Sequence, residues 1–91
     1  MGWKHYKLRI TGKVQGVWYR ASSRDKAIEL GLTGFVRNEP DGSVYAEVEG
    51  PAAAVDRFVD WAQNGPPHAE VERVDIRQDT PAGYEAFEVR R

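Results

Sequence analysis

Ninety-one residues, 41% of them hydrophobic and 30% charged, make a single domain (1–91), long enough to bury a core without covalent staples. The absence of cysteine excludes disulfides, thiolate catalysis and cysteine-based metal sites, and with only His5 and His68 a multi-histidine metal centre is excluded too. Net charge is −1, but residues 1–38 carry +6 and residues 39–91 carry −7, a balance that argues against a general nucleic-acid binder and allows a local positive site for a small anion.

Along the chain, Tyr6, Leu8 and Ile10 alternate with Lys7, Arg9 and Thr11, the period-two pattern of a half-buried strand over residues 5–11. Gly12 ends it, and residues 13–19 form a loop containing Gly16. A helix is predicted over residues 21–30, with Ser22 or Ser23 near its start and Gly31 at its end. Its apolar content is thin, carried by Ala27, Ile28 and Leu30.

Residues 34–38 and 44–49 read as the next two strands, joined as a hairpin by the turn residues Glu39-Pro40-Asp41-Gly42. The second helix is the clearest element. Pro51 stands in its first turn, Val55, Phe58, Val59 and Ala62 form one apolar stripe, and Asn64-Gly65-Pro66-Pro67 stops it. Residues 70–77 alternate as a strand through Val74 and Ile76, and Phe87 and Val89 suggest a short last one.

This order is the α+β, ferredoxin-like split βαβ arrangement, βαββαβ: an antiparallel sheet with two helices on one face and the other face free to meet water. The fold hosts unrelated activities, so function has to be read from the loops. No apolar run approaches the roughly 20 residues of a membrane span, and the opening Met-Gly-Trp-Lys-His has no signal-peptide core. The expected setting is soluble and cytoplasmic.

Two stretches carry candidate chemistry. In Gly12-Lys13-Val14-Gln15-Gly16-Val17-Trp18-Tyr19-Arg20, a strand runs through a glycine-containing turn into a helix. Successive N–H groups and the helix dipole there suit an anion, and Arg20 is placed to clamp phosphate oxygens bidentately. It is not a Walker loop, because Val14 follows Gly12-Lys13 where Ser or Thr is required. The second stretch is Gly34-Phe35-Val36-Arg37-Asn38. Asn38 offers a donor and an acceptor for orienting a water, or simply caps the turn.

Together the two stretches resemble the acylphosphatase family. Ile10, Gly12, Val14, Gln15, Gly16, Val17 and Arg20 match its first motif, and Gly34, Phe35, Val36, Asn38, Gly42, Val44 and Gly50 match its second. Tyr19 departs from it, standing where the family more often has Phe and adding a hydroxyl beside the loop. The resemblance implies hydrolysis of acyl phosphates to a carboxylate and inorganic phosphate, without metal, cofactor or covalent intermediate. It places the phosphate on the amides of Gln15, Gly16, Val17, Trp18, Tyr19 and Arg20, with Arg20 closing the clamp and Asn38 holding the attacking water.

The implied partners are a small-molecule acyl phosphate and phosphate, with no nucleic acid and no membrane, and the simplest oligomeric state is a monomer. Two rivals share the fold. A phosphate or acyl-phosphate sensor would bind without turnover. An RNA-binding βαββαβ domain would need aromatic and basic side chains on its third strand, where Tyr45 is followed by Glu47 and Glu49. His5 and His68 read as surface residues, Arg37, Glu47, Glu49, Asp56 and Asp60 as solvated charges, and Trp61 as packing. Trp18 is open between an acyl-pocket wall and a plain surface position.

Overall fold

Alternating side chains build the sheet. In the computed structural model, which describes residues 2–90, the elements are β1 (Trp3–Lys13), α1 (Tyr19–Glu29), β2 (Thr33–Asn38), β3 (Val44–Pro51), α2 (Ala52–Ala62), β4 (Glu70–Asp79) and β5 (Phe87–Arg90). The strands lie in the order β4-β1-β3-β2-β5. Leu8 and Ile10 of β1, Val36 of β2 and Val44, Ala46 and Val48 of β3 point to the helices and are buried with Val55, Phe58 and Ala62 of α2. The predicted α2 stripe is therefore the face that packs, and Trp61 packs beside it between Tyr19 and Phe58, with ring centroids at 5.4 and 5.7 Å.

The sheet is mixed where an antiparallel one was expected. β1, β2, β3 and β4 pair antiparallel, but β5 runs parallel to β2. The reason is topological: β4 forms one edge and β5 the other, so residues 80–86 must cross the sheet before β5 can form. They cross on the face away from the helices. Thr80, Ala82, Gly83 and Tyr84 bond His5, Glu49 and Glu47 there. This crossing buries His5, Glu47 and Glu49, correcting their reading as surface residues. Asp56, Asp60 and His68 do lie exposed. Arg37 is half-buried, stacked over Tyr45 and Phe35 at 4.9 and 5.6 Å.

Helix α1 starts earlier than its sequence suggests. Ser22 and Ser23 lie inside it, and its N-cap is Trp18. The buried stripe is Tyr19, Ser23 and Ala27, spaced by four, while Ile28 is exposed. Ser23 tolerates burial because its hydroxyl donates to the Tyr19 carbonyl one turn back, at 2.7 Å. At the other end Gly31, at φ 72°, closes the helix as predicted. Its N–H bonds the Ile28 carbonyl and that of Leu32 bonds the Ala27 carbonyl, the paired bonds of a Schellman ending.

Candidate active site

The segment between β1 and α1 is held by its own side chains. Val14 and Val17 drop into the core. The Gln15 amide donates from Nε2 to the carbonyls of Glu39 and Ser43, both at 2.8 Å. The loop is thus tied downward to the core and sideways to the β2–β3 hairpin.

Between these anchors Gly16 and Trp18 adopt left-handed φ of 73° and 67°. Glycine does so freely, whereas tryptophan sits there at a cost of roughly 1–3 kcal/mol. Trp18 is the only non-glycine residue with positive φ among those described. Turns of this kind aim successive N–H groups into one concavity. None of the N–H groups from Gln15 to Arg20 donates to a main-chain carbonyl among the described residues. Helix α1 follows with no side-chain cap and no acid in its first turn, so its positive end is open as well.

Above these donors lies an open cleft of about 640 Å³, walled by Val14, Gly16, Trp18, Tyr19, Arg20, Ala21, Arg24, Asn38 and Val89. Arg20 and Arg24 stand four residues apart on one helix face. Neither pairs with a carboxylate among the described residues. Arg20 donates from Nη1 to the Arg90 carbonyl at 3.3 Å, which leaves the rest of its guanidinium fork for a ligand. On the opposite wall, Asn38 closes β2 and its Oδ1 is buried without a hydrogen-bond partner among the described residues. Buried amide oxygens are ordinarily paired, and this one is an exception; the cleft itself brings together two guanidiniums, the uncapped start of α1 and Asn38.

Gly16, Trp18, Tyr19, Arg20 and Asn38 thus meet at one cleft, as the sequence predicts. The side chains of Gln15 and Val17 do not reach it: one binds the hairpin and the other fills the core. Only their main-chain groups remain available to a ligand. Trp18 is 76% exposed at the mouth. Arg24 was missed, although its i+4 spacing from Arg20 was a usable signal. Val89 had no such signal, because it reaches the wall only through the crossing to β5.

The Tyr19 hydroxyl adds nothing to the cleft. It turns inward and donates to the Ala62 carbonyl at 2.8 Å, satisfying one of the carbonyls left over at the end of α2. Burial pushes its pKa well above the ordinary tyrosine range, so it stays a donor. Gly65 makes room for the ring, since a Cβ there would stand 2.5 Å from Tyr19 Cε2. Tyr19→Phe is therefore expected to destabilise the fold by about 1 kcal/mol, the value of one hydrogen bond whose partner is left buried. Urea denaturation checks this; an unchanged midpoint would mean that water satisfies Ala62 equally well.

A ferredoxin-like sandwich whose cleft offers open main-chain donors and unpaired guanidiniums defines a phosphate-handling domain. Residues 6–89 match the family model for acylphosphatase. The chain is 53% identical over 87 residues to the acylphosphatase of Thiobacillus denitrificans, covering 96% of this chain and 97% of that one. It is 51% identical over 85 residues to that of Acaryochloris marina, covering 93% and 91%. Among solved structures it is similar to an acylphosphatase from Coxiella burnetii, with a TM-score of 0.93 and 36% identity, covering 97% and 93%. The chain belongs to the acylphosphatase family. It is an acylphosphatase hydrolase, acting on small-molecule acyl phosphates.

Proposed function

We propose that the main-chain N–H groups from Gln15 to Arg20, with the Arg20 guanidinium, cradle the phosphoryl group while Asn38 holds the attacking water. The water oxygen bonds phosphorus as the bond to the carboxyl oxygen breaks. The carboxylate leaves with the electron pair, and the water proton ends on the phosphate. A carboxylate of pKa roughly 4–5 leaves readily, so this chemistry calls on neither a general acid nor a metal. What the transition state needs is an aligned water and stabilised equatorial charge.

The observation that carries this reading is that Asn38 lines the same cleft as Arg20 and the uncapped start of α1. Against the RNA-binding alternative stand the burial of Phe35 and the acids Glu47 and Glu49 beside Tyr45, whose hydroxyl donates to Glu47 at 2.6 Å. No helix among the described residues is long and apolar enough to cross a membrane, and in this reading the enzyme is a cytoplasmic, single-domain monomer. Hydrolysis of benzoyl phosphate, followed by ultraviolet absorbance in ¹⁸O-water, tests the mechanism. The expected result is EDTA-insensitive turnover with the label entering phosphate. Label in benzoate, loss of activity with EDTA, or phosphate binding without turnover would overturn it.

A further inference from the structure

Beneath the 80–86 crossing lies a buried polar cluster that shares no residue with the cleft. His5, 3% exposed, directs Nε2 at Glu47 Oε1 (2.8 Å) and Nδ1 at the Thr80 carbonyl oxygen (2.7 Å). Glu47 also accepts from the Tyr84 hydroxyl at Oε1 (2.7 Å) and from the Tyr45 hydroxyl at Oε2 (2.6 Å). Glu49 receives the N–H groups of Ala82 and Gly83 and lies 3.9 Å from His5 Nδ1. A carbonyl oxygen only accepts, and so does an ionised carboxylate. Both ring nitrogens of His5 must then donate, which only the imidazolium can do.

The crossing so held leads directly into the active-site wall. The Ala86 carbonyl accepts from the Gly34 N–H at 2.9 Å, and β5 then pairs with β2 up to Arg37↔Arg90. Val89 lines the cleft, and the Arg90 carbonyl holds Arg20. We propose that His5, as an imidazolium clasping Glu47 and Thr80, is a positioning residue that seats β5 and so sets the Arg20 guanidinium for phosphate. This inference rests on the phosphate-binding role of Arg20.

The carboxylates around His5 favour its protonated form, and Lys7, on the same face of β1, opposes it. The carboxylates are Glu47 and Glu49 on β3 and Asp79 on β4; Asp79 is itself paired with Lys7 at 3.0 Å. Burial opposes the charge, but the Thr80 carbonyl and Glu47 outweigh it, and the pKa of His5 is raised above its ordinary 6.5. Burial also opposes ionisation of Glu47 and Glu49, yet their hydrogen bonds hold both below the ordinary 4.5. Tyr84, pushed up to about 12 by burial and by Glu47, stays a donor throughout. The stabilisation from His5 is fully present below about pH 6.5 and is lost as pH rises through its folded value. That from Glu47 and Glu49 is present above about pH 4.5 and is lost as pH falls through theirs.

The test pairs a nitrogen NMR titration of the His5 ring with steady-state hydrolysis of benzoyl phosphate, in the wild type and in His5→Gln. The expected result is a His5 ring protonated on both nitrogens at pH 6.5. The wild-type KM should rise roughly fivefold as that ring deprotonates, and kcat should fall along the same pH profile, because Arg20 serves both binding and the transition state. In His5→Gln the KM should already be high at pH 6.5 and lose this pH dependence. A single-protonated ring at pH 6, or a KM profile that His5→Gln leaves unaltered, would overturn the proposal. If the variant does not fold, the wild-type ring titration set against the wild-type KM profile still decides it. Failure of the enzymatic reading shows separately, as absence of wild-type turnover.

Discussion

Asn38→Ala is expected to lower kcat for benzoyl phosphate by about a thousandfold while KM stays within about threefold of the wild type. Asn38 ends β2 paired with Val44, and Gln15 ties the phosphate loop to the hairpin immediately beyond, at the carbonyls of Glu39 and Ser43. The distance from loop to asparagine is therefore fixed by the β2–β3 ladder and the Gln15 side-chain bonds, which alanine leaves in place. What alanine removes is the side-chain amide, the one donor and acceptor pair that Asn38 brings to the cleft. A water that has lost its guide attacks from many directions, and a thousandfold loss is about 4 kcal/mol of transition-state stabilisation. The phosphate cradle is untouched, so binding survives. Steady-state kinetics separate the two parameters, and a variant with near-normal kcat would remove Asn38 from the mechanism.

Arg20→Gln is expected to fail differently. In the proposed mechanism the guanidinium meets phosphate in the ground state and more strongly as charge builds on the equatorial oxygens, so both parameters suffer. A loss of about a thousandfold in kcat, with KM and the inhibition constant of phosphate each rising about tenfold, is the expected pattern. Glutamine keeps a donor but neither the charge nor the fork. Arg24, one turn further along the same face and also unpaired among the described residues, does not replace it, because Arg20 stands at the mouth of the open helix end and is already oriented by the Arg90 carbonyl. Product inhibition by phosphate checks this directly: an unchanged inhibition constant would mean that the anion sits elsewhere.

Most of the site was legible in the sequence because it is local. Residues 14–20 form one continuous turn, in which Val14 and Val17 supply the anchors, Gly16 the left-handed conformation and Arg20 the charge at the helix start. The α2 stripe was legible for the same reason, its spacing being a property of one helix. The start of α1 was misread because Ser22 and Ser23 look like caps, whereas burial of Tyr19, Ser23 and Ala27 extends the helix back to Tyr19. The parallel β5 and the burial of His5, Glu47 and Glu49 had no local signature. They follow from a crossing that brings Thr80–Tyr84 over strands some 35 to 75 residues away in sequence. Glu47 and Glu49 alternate with Val48 as exposed acids would, and only the long-range partners show that they are not. Gln15 is intermediate: its place in the motif was clear, but its side chain bonds a hairpin that the sequence does not bring near.

In the proposed mechanism phosphate sits on the turn from Gln15 to Arg20, on the cleft that Asn38 also lines. Inorganic phosphate titrated into ¹⁵N-labelled protein should reveal this in the amide resonances. Saturable shifts are expected at the main-chain amides of residues 15–20 and at the Asn38 side-chain amide, weakened about tenfold in Arg20→Gln. Saturable shifts confined to another surface, such as the Lys7, Arg9 and Arg77 face of the sheet, or the absence of shifts in the turn, would contradict it.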